Sequence, residues 1–182
     1  MHGMRTERSH MSEVRRRLAA IVYDGVARHL HTLLPGSHAI RARLADVVCD
    51  RVARTASIEP GVRLSRGLTL EDGAGVGAGT WFVGAGRIVL GRRLKMGPQC
   101  MFITNDHTIP GDLQTFSEMP AKSADIFVGD DVFLGARTII MPGVTIGNGV
   151  AVGAGSVVTK DLPAGAIAVG SPARILRTRE VS

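Results

Sequence analysis

The chain has 182 residues, 23 of them glycine and only seven aromatic (five Phe, one Tyr, one Trp), with 45% hydrophobic residues and a net charge of +6. That length fits one domain with an appendage. The glycine content argues against a helical bundle, where each mid-helix glycine costs about 1 kcal/mol; glycine does not recur at every third position as in collagen, and the apolar content excludes a disordered chain.

Charge and glycine divide the chain near residue 57. Residues 1–57 hold ten Arg, five acidic residues and three glycines. Residues 58–182 hold twelve basic residues, eleven acidic residues and twenty glycines.

In the first segment Val14, Leu18, Ile21, Val22, Val26, Leu30, Leu33 and Leu34 recur at helical spacing. Ser12 is the expected N-cap and Pro35-Gly36 the expected stop. Ile40, Leu44, Val47, Val48 and Val52 predict a second, shorter helix. The expected arrangement packs these apolar faces on the rest of the protein and turns the arginines to water. A weak contact of the basic helices with an anionic membrane surface is the alternative. Neither aromatic interleaving nor zinc-finger spacing points to a nucleic acid. No apolar run reaches the ~18 residues of a transmembrane segment. The apolar stretch after Arg15-Arg16-Arg17 is too interrupted for a signal peptide. Cys49 and Cys100 make neither a disulfide framework nor a zinc pattern, so a cytoplasmic chain with reduced thiols is expected.

The second segment repeats every six residues. Val128, Leu134, Ile140, Ile146, Val152 and Val158 are spaced by six, and Gly129, Gly135, Gly147 and Gly153 follow four of them. A companion series, Ile126, Val132, Thr138, Val144, Val150, Ser156 and Leu162, runs two residues earlier. The period also appears at Ile58, Leu64, Leu70, Val76 and Phe82, and again at Leu90, Met96 and Phe102, with a two-residue slip between the two series. The physical reading is an all-β solenoid. Each hexad is one short strand and one corner, with aliphatic side chains stacked inward. Corners such as Gly129-Asp130 and Gly147-Asn148 use residues that tolerate sharp turns. Three hexads close a coil, and roughly sixteen hexads make about five coils. The run Gly73-Ala74-Gly75-Val76-Gly77-Ala78-Gly79 looks like a dinucleotide fingerprint. However, Val76 keeps the six-residue register and no helix pattern follows.

The period fails between Phe102 and Ile126, where Asn105 to Asp125 form a long insertion. Loops of this length in compact repeats are usually functional or disordered. The insertion opens with Asn105-Asp106-His107, and His107 is the only histidine after residue 57. An imidazole is suited to accept a proton at neutral pH.

The hexads from Val128 onward, with Pro142-Gly143-Val144-Thr145-Ile146-Gly147, Val152 to Asp161 and Gly170-Ser171-Pro172-Ala173-Arg174-Ile175-Leu176-Arg177, resemble the hexapeptide-repeat acyltransferases. The ending resembles the branch of maltose and galactoside O-acetyltransferases. The stretch Tyr23 to Arg43 is similar to the lead-in of colanic-acid-type sugar acetyltransferases. The resemblance implies a left-handed parallel β-helix, a homotrimer with sites between subunits, and acetyl-CoA as acyl donor without a metal. It implies O-acetylation of a sugar or glycan-like hydroxyl, with His107 as general base. Asp106 and Asn105 are candidates to orient its ring or to touch the acceptor. Gly135, Ala136, Ala154, Thr159, Lys160, Arg174 and Arg177 match family contacts to coenzyme A. The three cations suit its phosphates, and the Ala136 N–H suits an oxyanion. The loop residues Leu113, Phe116 and Met119 would either shape the acceptor pocket or pin the loop to the solenoid.

The expected organisation is a basic helical segment, 1–57, a β-helix, 58–177, with an inserted loop, 105–125, and a tail, 178–182. Rival readings are an acyltransferase acting on an amino sugar, antibiotic or other secondary metabolite, and a non-catalytic solenoid scaffold. A serine acetyltransferase would need a longer helical domain, and a solenoid carbonic anhydrase three metal-binding histidines.

Overall fold

The computed structural model describes residues 2–107, 119 and 121–180, leaving the side chains of residues 2–11 and 121 undescribed. Helix α1 (His2–Gly25) passes through a short 3-10 turn (Ala27–His29) into α2 (Ser37–Val48). After α2 the chain winds as a parallel β-helix with three sheet faces. The first face stacks β1 (Arg51–Val52), β3 (Leu68–Leu70), β6 (Ile88–Leu90), β11 (Ile126–Val128) and β14 (Thr145–Ile146). The second stacks β2 (Ser57–Ile58), β4 (Gly75–Val76), β7 (Lys95–Met96), β12 (Phe133–Leu134), β15 (Ala151–Val152) and β17 (Ala166–Val169). It ends in an antiparallel edge strand, β18 (Arg174–Thr178). The third holds β5 (Trp81–Val83), β8 (Met101–Ile103), β13 (Ile139–Ile140) and β16 (Val157–Val158). The glycine run 73–79 lies in this winding, as the register of Val76 predicts.

The six-residue series become vertical stacks. Ile58 pairs Val76, Leu70 pairs Leu90, Val128 pairs Ile146, and Leu134 pairs Val152 across neighbouring coils. All eight are buried, as are Val132, Thr138, Val144, Val150 and Ser156 of the companion series. Several strands are followed directly by a glycine that the close approach of the next coil requires. A Cβ on Gly77 would lie 2.1 Å from the Gly97 carbonyl oxygen, and one on Gly135 would lie 2.4 Å from the Ala154 nitrogen. Neither has a left-handed φ.

The corners differ from the sequence expectation. At the two corners named above, the left-handed residues are Asp131 and Gly149, not Gly129 or Gly147. In the third and fourth coils the left-handed positions fall to Arg93, Gln99, Asp131 and Arg137. Such angles cost roughly 1–2 kcal/mol outside glycine. Bonds between coils offset that strain. Arg93 Nε donates to Asp131 at 2.7 Å and Arg137 Nε to Gln99 at 2.8 Å. The Arg93 guanidinium beside Asp131 holds its carboxyl below the usual range.

The helices cap the open first coil. Tyr23 and Arg41 are both fully enclosed. Tyr23 donates its hydroxyl to the Val62 carbonyl, and Arg41 donates to the carbonyls of Ile58 (2.6 Å) and Leu30 (2.9 Å). The apolar pattern of the second helix packs, with Val48 and Val52 buried and Leu44 and Val47 against the core, but that of the first helix does not. Ala19, Tyr23 and Ala27 are buried, while Val14, Leu18, Ile21, Val22 and Val26 face solvent. Small residues let α1 pack closely on α2, which in turn lies on the first coil. The first helix also begins before Ser12 and ends at Gly25, well ahead of Pro35-Gly36.

Two stability measurements check this account. Gly77→Ala should cost about 1–3 kcal/mol as overpacking against backbone, lowering Tm, whereas Gly25→Ala, whose Cβ meets nothing within 4 Å, should leave Tm nearly unchanged. Arg41→Met keeps the stem but orphans two buried carbonyls, and should cost about 2 kcal/mol or more in denaturant unfolding.

Candidate active site

The insertion leaves the third face after β8. Its two ends form an antiparallel ribbon of β9 (Asn105–His107) and β10 (Ala121–Ser123), with His107 opposite Ala121. The two-residue slip at Gly84-Ala85-Gly86, one coil earlier, receives this ribbon. The Ala85 N–H donates to Asn105 Oδ1 at 3.1 Å, and the Gly86 N–H to Thr104 Oγ1 at 3.0 Å. The buried Thr104 hydroxyl donates in turn to the Val83 carbonyl. Gly84 has φ 105°, and a Cβ there would lie 2.3 Å from Thr104 Oγ1. The returning end is held by Asp125, which accepts from the Arg87 amide and guanidinium, each at 2.8 Å. Those bonds, the amide's first, hold the Asp125 carboxyl below its ordinary range. This clamp was not foreseen from sequence, although the slip at 84–86 was its visible trace.

His107 is exposed, and its Nδ1 lies 3.3 Å from the Met119 carbonyl oxygen. A carbonyl only accepts, so this contact uses the Nδ1 proton and leaves the Nε2 lone pair free. Asp106 accepts from the His107 backbone N–H at 2.7 Å, and Asn105 is bound to Ala85. Neither side chain bonds to the imidazole ring. Leu113 and Phe116 lie outside the described residues.

The residues matched to coenzyme A contacts occupy other corners. Ala136 and Ala154 stack in consecutive coils at the junction of the second and third faces, tied by Gly155 N–H to Ala136 O at 2.8 Å. Gly135 lies buried beneath them. The Ala136 N–H donates to no carbonyl among the described residues. Thr159 and Lys160 are exposed just after β16, at the junction of the third and first faces. Arg174 and Arg177 lie on the exposed strand β18, outside every ion pair among the described residues. Within one chain, therefore, His107 and Ala136 stand at opposite ends of the third face. Both thiols are enclosed. Burial, with Asp50 nearby, pushes the Cys49 thiol up to about 12, and burial also raises Cys100.

A cavity of about 730 Å³ opens between the α1 end and the third face. Its lining includes Asp24, Arg63, Ser65, Trp81, Gly84 and Ala85. The Arg63 guanidinium stacks 4.1 Å from the Trp81 ring centre, and Ser65 Oγ is buried without a hydrogen-bond partner. The cavity thus reaches Ala85, whose amide holds Asn105 at the root of the His107 ribbon. The sequence reading missed it, because Trp81 reads there only as the residue before a buried Phe82.

Residues 125–160 match the model of the bacterial transferase hexapeptide (six repeats). Galactoside O-acetyltransferase of Escherichia coli K12 is 30% identical over 169 residues, 92% of this chain and 80% of that enzyme. The chain spans 66% of the length of a Schizosaccharomyces pombe relative provisionally named an acetyltransferase, at 34% identity over 139 residues. Among solved structures, a maltose O-acetyltransferase from Clostridium difficile 630 superposes with a TM-score of 0.75 at 24% identity, over 94% of this chain and 89% of that one. A variant of AntD, an N-acyltransferase from Bacillus cereus in complex with dTDP-4-amino-4,6-dideoxyglucose and coenzyme A, gives 0.61 at 26% identity, over 69% and 71%. The shared architecture is the left-handed parallel β-helix, and with this extent of sequence identity the chain belongs to the hexapeptide-repeat acetyltransferase family.

Proposed function

We propose that the protein moves an acetyl group from acetyl-CoA to a hydroxyl of a sugar or glycan-like acceptor, with His107 as general base. The observation that carries this reading is the Met119 carbonyl on His107 Nδ1, which presents Nε2 as a proton acceptor. Nε2 takes the hydroxyl proton as the acceptor oxygen attacks the thioester carbonyl. Negative charge then develops on the carbonyl oxygen, which the unpartnered Ala136 N–H is suited to receive. Collapse breaks the carbon–sulfur bond, and the imidazolium returns its proton to the departing thiolate. Attack is direct, because an acyl-enzyme on cysteine would need a thiolate, and both cysteines are buried with raised pKa values.

The donor contacts fall to Gly135, Ala136 and Ala154 along the stacked corners, with Thr159, Lys160, Arg174 and Arg177 for the nucleotide phosphates. The coenzyme A bound by AntD supports this choice of donor. His107 and Ala136 lie across the third face from each other, so a second copy of the chain brings one chain's base beside the other's corner. A homotrimer with sites between subunits supplies that arrangement. The acceptor lies in the cavity between α1 and the third face. There Trp81 gives a ring surface, and the exposed Asp24 gives a hydrogen-bonding group.

An acceptor screen with acetyl-CoA, reading thiol release over paired hydroxyl and amino sugars, tests the reaction; preference for the amino sugars would establish N-acylation instead. His107→Ala should lower kcat about 100- to 10,000-fold with coenzyme A binding retained by isothermal titration, and unchanged turnover would remove the base from this residue. Trp81→Ala should raise the acceptor KM roughly three- to tenfold without altering coenzyme A affinity; an unchanged KM would move the acceptor elsewhere.

A further inference from the structure

Helix α1 has two apolar faces, and only one is covered. Ala19, Tyr23 and Ala27, four residues apart, are buried. Val14, Leu18, Ile21 and Val22 follow the i, i+4, i+7, i+8 spacing of a single helical stripe, and Val26 follows just past the helix end. All five are exposed, Leu18 at 58% and Ile21 at 66%. Scattered exposed aliphatics are ordinary, but a row of four along one helix, with Val26 just beyond its end, marks a contact surface.

A second cavity, of about 490 Å³, lies between α1 and α2 beside this stripe. Arg15, Arg43 and Arg54 line it together with Asp46. Arg15 stands three residues before Leu18 and seven before Val22, on the edge of the same stripe. Asp46 Oδ1 is taken by the Val52 amide at 2.9 Å. None of the three arginines joins an ion pair among the described residues. Three cations therefore converge on one cavity, adjoining an uncovered apolar row.

We infer that α1 lies flat on an anionic phospholipid surface, its stripe against the acyl boundary and the cavity arginines on lipid phosphate groups. Charge selects this occupant. Residues 1–57 hold ten Arg against five acidic residues, which suits an anionic surface. A second copy docked stripe to stripe would bring the same arginines together and be repelled. The contact is interfacial, since no helix among the described residues is long and apolar enough to cross a membrane.

Sedimentation of the full chain with vesicles tests the inference. Phosphatidylcholine vesicles containing phosphatidylserine should carry the protein down, pure phosphatidylcholine should not, and binding should fall as salt rises. Leu18→Glu with Ile21→Glu should abolish binding. Arg15→Gln and Arg43→Gln should each weaken partitioning roughly fivefold, with the melting temperature of every variant near that of the parent. Equal binding to both vesicle types, or binding indifferent to the glutamates, overturns the inference. Saturable binding of inorganic phosphate without vesicle binding overturns it in favour of a soluble phosphate ligand. A change in mass by sedimentation velocity in the glutamate variant, with no vesicle binding by the parent, overturns it in favour of a subunit contact.

Discussion

The rest of the structure depends on backbone approaching backbone, coil upon coil, at the separation set by parallel-sheet hydrogen bonds, ~4.8 Å. That spacing leaves no room for a Cβ where Gly77 meets Gly97 or where Gly135 meets Ala154. The short strands of each three-sided coil keep the interior narrow, which is why the inward stacks are built mainly from Val, Ile and Leu. The one inward aromatic pair among the described residues, Phe82 on Phe102 with ring centres 5.1 Å apart, belongs to the third face, immediately before the insertion departs. Where the corner itself need not be glycine, the same stacking turns strain into cross-coil bonds, as with Arg93 on Asp131.

A rigid solenoid allows a functional loop to be both long and precisely rooted. The insertion is anchored by bonds to the coil below at each end, Asn105 on Ala85 and Asp125 on Arg87. These bonds come from residues that break the six-residue period, not from those that keep it. Departure from the repeat at 84–86 makes the socket, and departure at 105–125 makes the ribbon that fills it. The imidazole is oriented by a backbone carbonyl of its own loop, so its tautomer follows from the ribbon's closure and needs no second acidic side chain.

The coiled architecture was legible because a period of six over so many hexads has few other physical meanings, and the buried residues fall where it places them. His107 stood out as a lone titratable group in the one aperiodic stretch. Its partner was not legible, because a main-chain carbonyl at Met119 leaves no mark on side-chain chemistry. The helical segment misled for a related reason. The larger aliphatics Leu18 and Ile21 read as the packing face, but the buried side is made by Ala19 and Tyr23. Hydrophobicity alone does not say which apolar face is narrow enough to dock. Arg41 reads in sequence as one more surface cation, whereas its guanidinium satisfies two buried carbonyls at the seam between helix and coil.

Helix α1 joins the two halves of this account. Its buried side ends in Tyr23, bonded to Val62 of the first coil. Asp24, the next residue, reaches the cavity that also contains Trp81 and Ala85. Its outer side carries the uncovered stripe. A helix so placed cannot shift on one side without moving groups on the other. The seam is stiff, because Tyr23 and Arg41 bond across it inside the protein. The bonds across the seam therefore hold the outer stripe in a set orientation to the β-helix beneath it.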